Sequence, residues 1–143
     1  MAEDPGIKKT GTVRVLLMDD EPMIRDLAGR MFENLGYEYS VAEDGQDAID
    51  KYEEARRLED PFQIVILDWN VSRGMGGCEA AERLREIDPG AVIIASSGDT
   101  AFTGNDDRIE RYFTGTVSKP YTMMELKSTL SRFSRPKGPE ETS

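Results

Sequence analysis

The chain has 143 residues, of which 28 are Asp or Glu and 18 are Lys or Arg, so its formal net charge is −10. This length is enough for one domain with its own hydrophobic core. The acidic balance argues against binding to nucleic acid, because phosphate backbones are held by Lys and Arg. The chain contains no histidine, which excludes a Ser-His-Asp or Cys-His nucleophile, a His-ligated metal and a phosphohistidine carrier among its own residues.

The cysteine count and the apolar runs indicate the cellular compartment of the chain. Cys78 is the single cysteine, which excludes an intramolecular disulfide and favours a reducing, cytoplasmic location. We interpret Cys78 as a small packing residue. No apolar run approaches the ~20 residues of a membrane span, and the polar start Met1–Lys9 lacks the apolar stretch of a secretory signal.

Alternating strands and helices are predicted along most of the chain. Five short apolar runs read as strands, with room for one helix between successive runs. Three of them are nearly unbroken, as expected of central parallel strands that are buried on both faces. The five runs are Val13–Met18, Tyr37–Ala42, Phe62–Leu67, Ala91–Ala95 and Thr114–Ser118.

The segments between these runs carry helical periodicity. The first helix is predicted to end at Gly36, the third at Asp88-Pro89-Gly90, and the last to be capped by Thr122. The fourth is expected to be short or irregular, because Gly104-Asn105-Asp106-Asp107 interrupts the pattern.

This alternation predicts an α/β fold, an open parallel sheet with helices on both faces. Residues 12–133 are predicted to form the domain. Residues 1–11 are expected to be a flexible tail and residues 134–143 a polar tail or linker stub, since both ends are polar, contain Pro and Gly, and are too short to fold alone.

Carboxylates follow two of the predicted strands. Asp19 and Asp20 come after the first strand and Asp68 comes after the third. If these strands are neighbours, in the order 2-1-3-4-5, the three side chains meet at the carboxyl edge of the sheet, where such sheets bind ligands. A cluster of carboxylates suits Mg²⁺. Acids at strand ends also serve as helix caps, which Glu21-Pro22 supports for part of the group, but Asp68 is not an obvious cap.

A hydroxyl and an ammonium group are predicted at the same edge. The fourth strand ends in Ser96-Ser97-Gly98 and the fifth in Ser118-Lys119-Pro120. The bond before Pro120 can fix the local backbone, with a cis peptide as one option, and aim the lysine. A carboxylate nucleophile with a divalent ion, a hydroxyl and a lysine is a complete set for phosphoryl transfer.

As an ordered set, these positions resemble the receiver domain of two-component response regulators. The resemblance rests on Asp19-Asp20, Asp68, Ser97 and Lys119-Pro120, and it covers roughly residues 12–133. It implies a flavodoxin-like open five-stranded parallel sheet of order 2-1-3-4-5. The longer Gly-Met-Gly-Gly loop at residues 74–77 and the Ser96-Ser97-Gly98 end resemble the receivers of hybrid histidine kinases.

The resemblance implies a role for each acidic position. Asp68 would accept a phosphoryl group in a Mg²⁺-dependent reaction. Asp20 and Asp68 would ligate the Mg²⁺ directly with the backbone carbonyl of Asn70, and Asp19 would assist through water.

The resemblance also implies partners and a switch. Ser97 and Lys119 would contact the phosphoryl oxygens, and Lys119 would pair with Asp68 beforehand. The donor would be a phosphohistidine of a histidine kinase or of a histidine phosphotransfer domain, and the domain would change conformation when phosphorylated. Such a domain catalyses only its own phosphorylation and dephosphorylation, binds neither nucleic acid nor membrane, and could form a weak homodimer.

The chain departs from the family pattern at two places. The loop after Asp68 lacks the usual proline and is one residue longer, and Thr116 stands where a switching Tyr or Phe is usual. These departures slightly favour an alternative, a pseudo-receiver that docks a partner without being phosphorylated, but the five intact acidic, hydroxyl and lysine positions weigh against it. A phosphatase of the haloacid-dehalogenase class fits less well, because Asp19-Asp20-Glu21 lacks its Asp-x-Asp motif. Trp69 could be a gate over Asp68 or simply a partly exposed side chain.

Overall fold

The computed structural model describes residues 13–71, 74–98 and 107–133. Within these ranges the chain forms one five-stranded parallel sheet of order β2-β1-β3-β4-β5, which confirms the predicted α/β architecture and strand order. The strands are β1 (Arg14–Met18), β2 (Glu38–Ala42), β3 (Ile64–Asp68), β4 (Ile93–Gly98) and β5 (Gly115–Lys119). The helices are α1 (Pro22–Leu35), α2 (Gly45–Arg57), α3 (Gly77–Ile87), α4 (Asp107–Tyr112) and α5 (Met123–Phe133).

The side chains of the sheet alternate between two cores, as the pleat of a strand requires. One core, which we call the α2/α3 core, includes Leu16, Leu67 and Ala95 together with Ala48 and Leu84 from those helices. The other, the α1/α5 core, is formed by the alternate strand residues, among them Leu17, Ile66 and Ile94, with Phe32 of α1 and Leu126 of α5. Every residue of β3 is buried, which explains why its sequence is almost entirely apolar.

The helix ends agree with their sequence signals. Gly36 follows α1 with a φ of +89°, a left-handed conformation that glycine adopts at little cost. Asp44 caps α2 by accepting a hydrogen bond from the backbone N–H of Asp47 at 2.9 Å. Thr122 caps α5 in the same way, with its Oγ1 accepting from the N–H of Glu125 at 3.1 Å. Cys78 lies in the first turn of α3 and is partly buried.

Each strand begins one or two residues later than the predicted apolar run, and β3, β4 and β5 also end one to three residues later. The ladder continues past the apolar residues, since Asp68 pairs with Ser96 and Gly98 pairs with Lys119. Backbone pairing needs no apolar side chain. A prediction based on side-chain polarity alone therefore ended these strands too early.

Within the described residues, which resume at Asp107, the fourth helix covers six residues. The remainder of the irregular stretch before it, residues 99–106, lies outside the described residues. So do residues 1–12 and 134–143, and the tail and linker assignments there stay predictions. Among the helices of the described residues, none combines the length and the apolar composition of a membrane span.

Gly77 is required at the start of α3 because the helix begins against the backbone of β3. A Cβ atom on residue 77 would lie 2.3 Å from the carbonyl oxygen of Asp68, so the helix or the strand end would have to move. Despite the better helix propensity of alanine, we expect Gly77→Ala to lower the free energy of unfolding by about 1–3 kcal/mol, measured by urea denaturation.

Gly90→Ala is the matched control for this substitution. The atom nearest to a Cβ there is the Asp88 Oδ1, at 3.8 Å, and we expect a change within about 0.5 kcal/mol. Equal stabilities of the two variants would show that α3 does not press against the end of β3.

Candidate functional site

The site lies at the carboxyl edge of the sheet, where β1, β3 and β5 end. Asp19 directly follows β1, while Asp68 and Lys119 are the last residues of β3 and β5. Asp19 is 0% exposed and Asp68 is 1% exposed. Both carboxyl groups are therefore removed from water, which is unfavourable for charged groups unless partners compensate.

Lys119 supplies that compensation. Its Nζ lies 3.0 Å from the Oδ2 of Asp19 and 3.3 Å from the Oδ1 of Asp68. The ammonium group thus joins two carboxylates that come from strands on the far side of β4. The Lys119–Pro120 peptide bond is cis.

A third carboxylate completes an acidic cluster. Oxygen atoms of Asp19, Asp20 and Asp68 lie within 4.8 Å of one another. The Oδ1 of Asp19 also accepts a hydrogen bond from the backbone N–H of Glu21 at 2.9 Å. Both oxygens of Asp19 are therefore already engaged, one by Lys119 and one by the start of α1.

The electrostatics of Asp68 reflect its surroundings. Burial, and then the charge of Asp19, raise the pKa of Asp68 to about 6, against the opposing effects of Lys119 and of the backbone N–H of Asn70. Burial alone would lower the pKa of Lys119, but its hydrogen bond to Asp19 and the charge of Asp68 outweigh this and raise it. The carboxylate at position 68 is ionised at neutral pH, although it gives up its proton less readily than an ordinary aspartate.

Asn70 and Ser97 lie beside Asp68. The backbone N–H of Asn70 donates to the Oδ1 of Asp68 at 3.2 Å, and its side-chain amide is 3.5 Å from the Oγ of Ser97. Ser97 is buried. A cleft of about 350 Å³ opens next to them, lined by Asp20, Glu21, Trp69, Asn70, Val71 and Gly76.

Trp69 forms one wall of this cleft and is anchored on α4. Its ring centroid is 5.8 Å from that of Phe113, and the guanidinium carbon of Arg108 lies 5.4 Å from the centroid of the indole ring. Its backbone N–H donates to the carbonyl of Ser96 at 2.7 Å. Trp69 is partly exposed, as one of the two interpretations held, and its role as a gate stays a prediction.

Sequence reasoning missed one polar pair at this edge. The hydroxyl groups of Ser96 and Tyr121 lie 2.6 Å apart in the protein interior. Burial raises the pKa of the Tyr121 phenol, so this group remains protonated. The available signals were a second serine beside Ser97 and a tyrosine directly after Lys119-Pro120.

The comparison with protein families decides the identity of the domain. The family model for the response regulator receiver domain matches residues 15–131. The chain belongs to this family. It is therefore a receiver domain of two-component signalling, and receivers in this family generally use Mg²⁺.

Similar proteins include both small and large relatives of this receiver domain. The chain is 29% identical to ethylene receptor 4 of Oryza sativa subsp. indica, over 92% of this chain but only 18% of the relative. Sensor histidine kinases are also among the relatives, as the resemblance to hybrid kinases predicts. The structure of chemotaxis protein CheY4 of Vibrio cholerae has a TM-score of 0.75 and 27% identity, covering 85% of this chain and 98% of that chain.

A further solved structure shows the same fold in a complex. It is the receiver domain of Ssk1 of Saccharomyces cerevisiae, co-crystallised with the histidine phosphotransfer protein Ypd1. Its TM-score is 0.74 with 15% identity, and the match covers 86% of this chain and 89% of that chain.

The raised pKa of Asp68 predicts how stability depends on pH. A carboxyl group with a pKa of about 6 when folded and 3.8 as its ordinary value binds its proton more tightly in the folded state. The contribution of Asp68 to the stability of the metal-free receiver therefore falls as the pH rises from about 4 to about 6. Asp68→Asn removes this loss, so we expect the variant to gain up to about 3 kcal/mol relative to wild type over this interval.

The measurement is the free energy of unfolding in EDTA at several pH values. Asp26→Asn, on the exposed face of α1, is the control and should track wild type. A difference between Asp68→Asn and wild type that does not change with pH would contradict the raised pKa.

Proposed function

We propose that this receiver accepts a phosphoryl group on Asp68 from a phosphohistidine and changes conformation when it does so. The observation that carries the proposal is the buried Asp68 carboxylate at the end of β3, held by the Lys119 ammonium and accompanied by two further carboxylates. A structural aspartate would not need a lysine shared with a second buried carboxylate and a third acid beside them at the ligand-binding edge of the sheet.

The proposed reaction is a direct displacement at phosphorus. An Oδ of Asp68 attacks the phosphorus atom, a P–O bond forms, and the P–N bond of phosphohistidine breaks with its electron pair passing to the imidazole nitrogen. Lys119 stabilises the phosphoryl oxygens by its positive charge, and the buried hydroxyl of Ser97 is a candidate hydrogen-bond donor to them. Attack by water on the resulting acyl phosphate restores the Asp68 carboxylate and releases inorganic phosphate.

The donor set of the acidic cluster fits Mg²⁺. Its ligands would be the carboxylates of Asp20 and Asp68 and the backbone carbonyl of Asn70, all of them the oxygen donors that a hard cation prefers. Asp19 would act through water, which agrees with the engagement of both its oxygens by Lys119 and by the N–H of Glu21. When bound, the ion would offset the negative charge of the carboxylates and that of the incoming phosphoryl oxygens.

The phosphohistidine must belong to another domain or another protein, because this sequence has no histidine. A histidine kinase or a histidine phosphotransfer domain is the proposed partner, and the complex of Ssk1 with Ypd1 supports this for a domain of the same fold. The cytoplasmic location, the lack of nucleic-acid binding and weak dimerisation stay predictions from the sequence.

The pseudo-receiver alternative keeps the fold and the docking partner without phosphorylation. Thr116 in place of an aromatic residue favours it, because the usual coupling through that position is missing. The geometry around Asp68 favours phosphorylation, and the two proposals differ in one measurable product.

That product is a phosphoryl adduct on Asp68. We expect incubation with acetyl phosphate and Mg²⁺ to add one phosphoryl group, detected by intact mass spectrometry and mapped to Asp68. Lys119→Ala should slow the reaction by about 100-fold or more, since it removes the group that stabilises the transferring charge.

Asp68→Asn should give no adduct, while Asp26→Asn should react like wild type. Failure of folded wild type to form the adduct with either acetyl phosphate or a phosphorylated histidine partner would favour the pseudo-receiver.

Metal binding can be followed through Trp69, the single tryptophan of the chain, which lines the same cleft as Asp20. We expect Mg²⁺ to change its fluorescence with saturation. Asp20→Asn should weaken the binding about 10-fold or more, because it removes a direct anionic ligand. Asp26→Asn should leave the binding curve unchanged, and an Asp20→Asn curve identical to wild type would exclude Asp20 as a ligand.

A further inference from the structure

A buried pair of hydroxyl groups ties the segment after β5 to the middle of the sheet. The Oγ of Ser96 and the phenol oxygen of Tyr121 lie 2.6 Å apart, and these residues are 0% and 5% exposed. Loss of either hydroxyl would lower the stability of the protein, because the remaining buried hydroxyl would have no hydrogen-bond partner. Two apolar side chains would fill the same space without that risk.

Ser96 is fixed directly beside the proposed phosphoryl acceptor. It pairs with Asp68 of β3 on one side and with Val117 of β5 on the other. Its carbonyl oxygen accepts the backbone N–H of Trp69 at 2.7 Å. The Ser96 hydroxyl is therefore a rigid anchor point, and it lies on the α1/α5 side of the sheet, the side to which Tyr121 belongs.

Tyr121 stands two residues beyond Lys119, past the point where the β5 ladder ends. Lys119 pairs with Gly98 at the last position of that ladder, and Pro120 has no N–H with which to continue it. The Tyr121 hydroxyl thus holds the chain on the far side of Lys119, while the ladder holds it on the near side. Between these two attachments, Lys119 extends to Asp19 and Asp68.

We propose that Tyr121 and Ser96 are positioning residues that hold Lys119 in place for phosphoryl transfer to Asp68, an inference that rests on the proposed function. Neither hydroxyl group touches the carboxylates in this arrangement. They act through the backbone of the Lys119-Pro120 segment. A small displacement of a charge-stabilising group is enough to slow a reaction substantially.

The test separates positioning from stability by comparing single and double variants. Tyr121→Phe and Ser96→Ala each leave one buried hydroxyl without its partner, so both should unfold at lower temperature than wild type. The double variant removes both hydroxyls and should recover most of that stability. We expect all three to form the Asp68 adduct with acetyl phosphate and Mg²⁺ about 10-fold more slowly than wild type.

Tyr52→Phe is the matched control. Tyr52 is also a buried tyrosine, and its hydroxyl donates to the Oδ2 of Asp88 at 2.7 Å in the α2/α3 core. This variant should lose stability and still form the adduct at the wild-type rate.

A second readout does not depend on phosphorylation. In metal-free protein, acylation of the Lys119 amine by an N-hydroxysuccinimide ester can be quantified by peptide mass spectrometry, with the exposed Lys127 of α5 as internal reference. We expect acylation of Lys119 to rise several-fold in the double variant.

The outcomes distinguish this inference from the proposed function. A double variant that matches wild type in both adduct rate and Lys119 acylation would overturn the positioning role. Absence of the adduct in folded wild type would instead overturn the proposed function and the inference that rests on it. A slow double variant with recovered stability and a more reactive Lys119 supports both.

Discussion

The structure of this site depends on one ammonium group that two buried carboxylates share. Lys119 reaches from the end of β5 past β4 to Asp68 of β3 and to Asp19 after β1, so a single side chain links the ends of three strands. Both side chains are almost completely buried, and breaking one such pair leaves a buried charge without compensation, which is strongly destabilising. The parallel arrangement of the strands makes this contact possible, since it brings all three strand ends to the same edge of the sheet.

The same contact sets the chemistry that the site can perform. Three carboxylates and one ammonium group leave two formal negative charges at the edge of the sheet, and a divalent cation supplies the opposite charge. Burial keeps the pKa of Asp68 high for a carboxyl group, yet Lys119 keeps it low enough for the nucleophilic, ionised form to exist at neutral pH. In the proposed function, a bound metal ion and Lys119 would both stabilise the ionised form of Asp68.

The sequence was sufficient for those features that depend on local pattern. Apolar runs indicated β3 and its neighbours, the acids after the first and third runs marked the functional edge, and Thr122 marked the start of α5. Features that depend on register were not predictable in this way. The pairing of Asp68 with Ser96 extends both strands into polar sequence, and the contact between Ser96 and Tyr121 becomes apparent only when it is known which face of the sheet each side chain occupies.

The two serines of β4 lie on opposite faces of the sheet, because side chains alternate along a strand. Ser96 follows Ile94 on the α1/α5 side and contacts Tyr121, whereas Ser97 follows Ala95 on the α2/α3 side and lies near the Asn70 amide. Trp69 belongs to this second side, where its indole packs against Phe113 at the end of α4. Trp69 follows Asp68 directly and Phe113 follows α4 directly, so their contact joins the loop after β3 to the end of that helix.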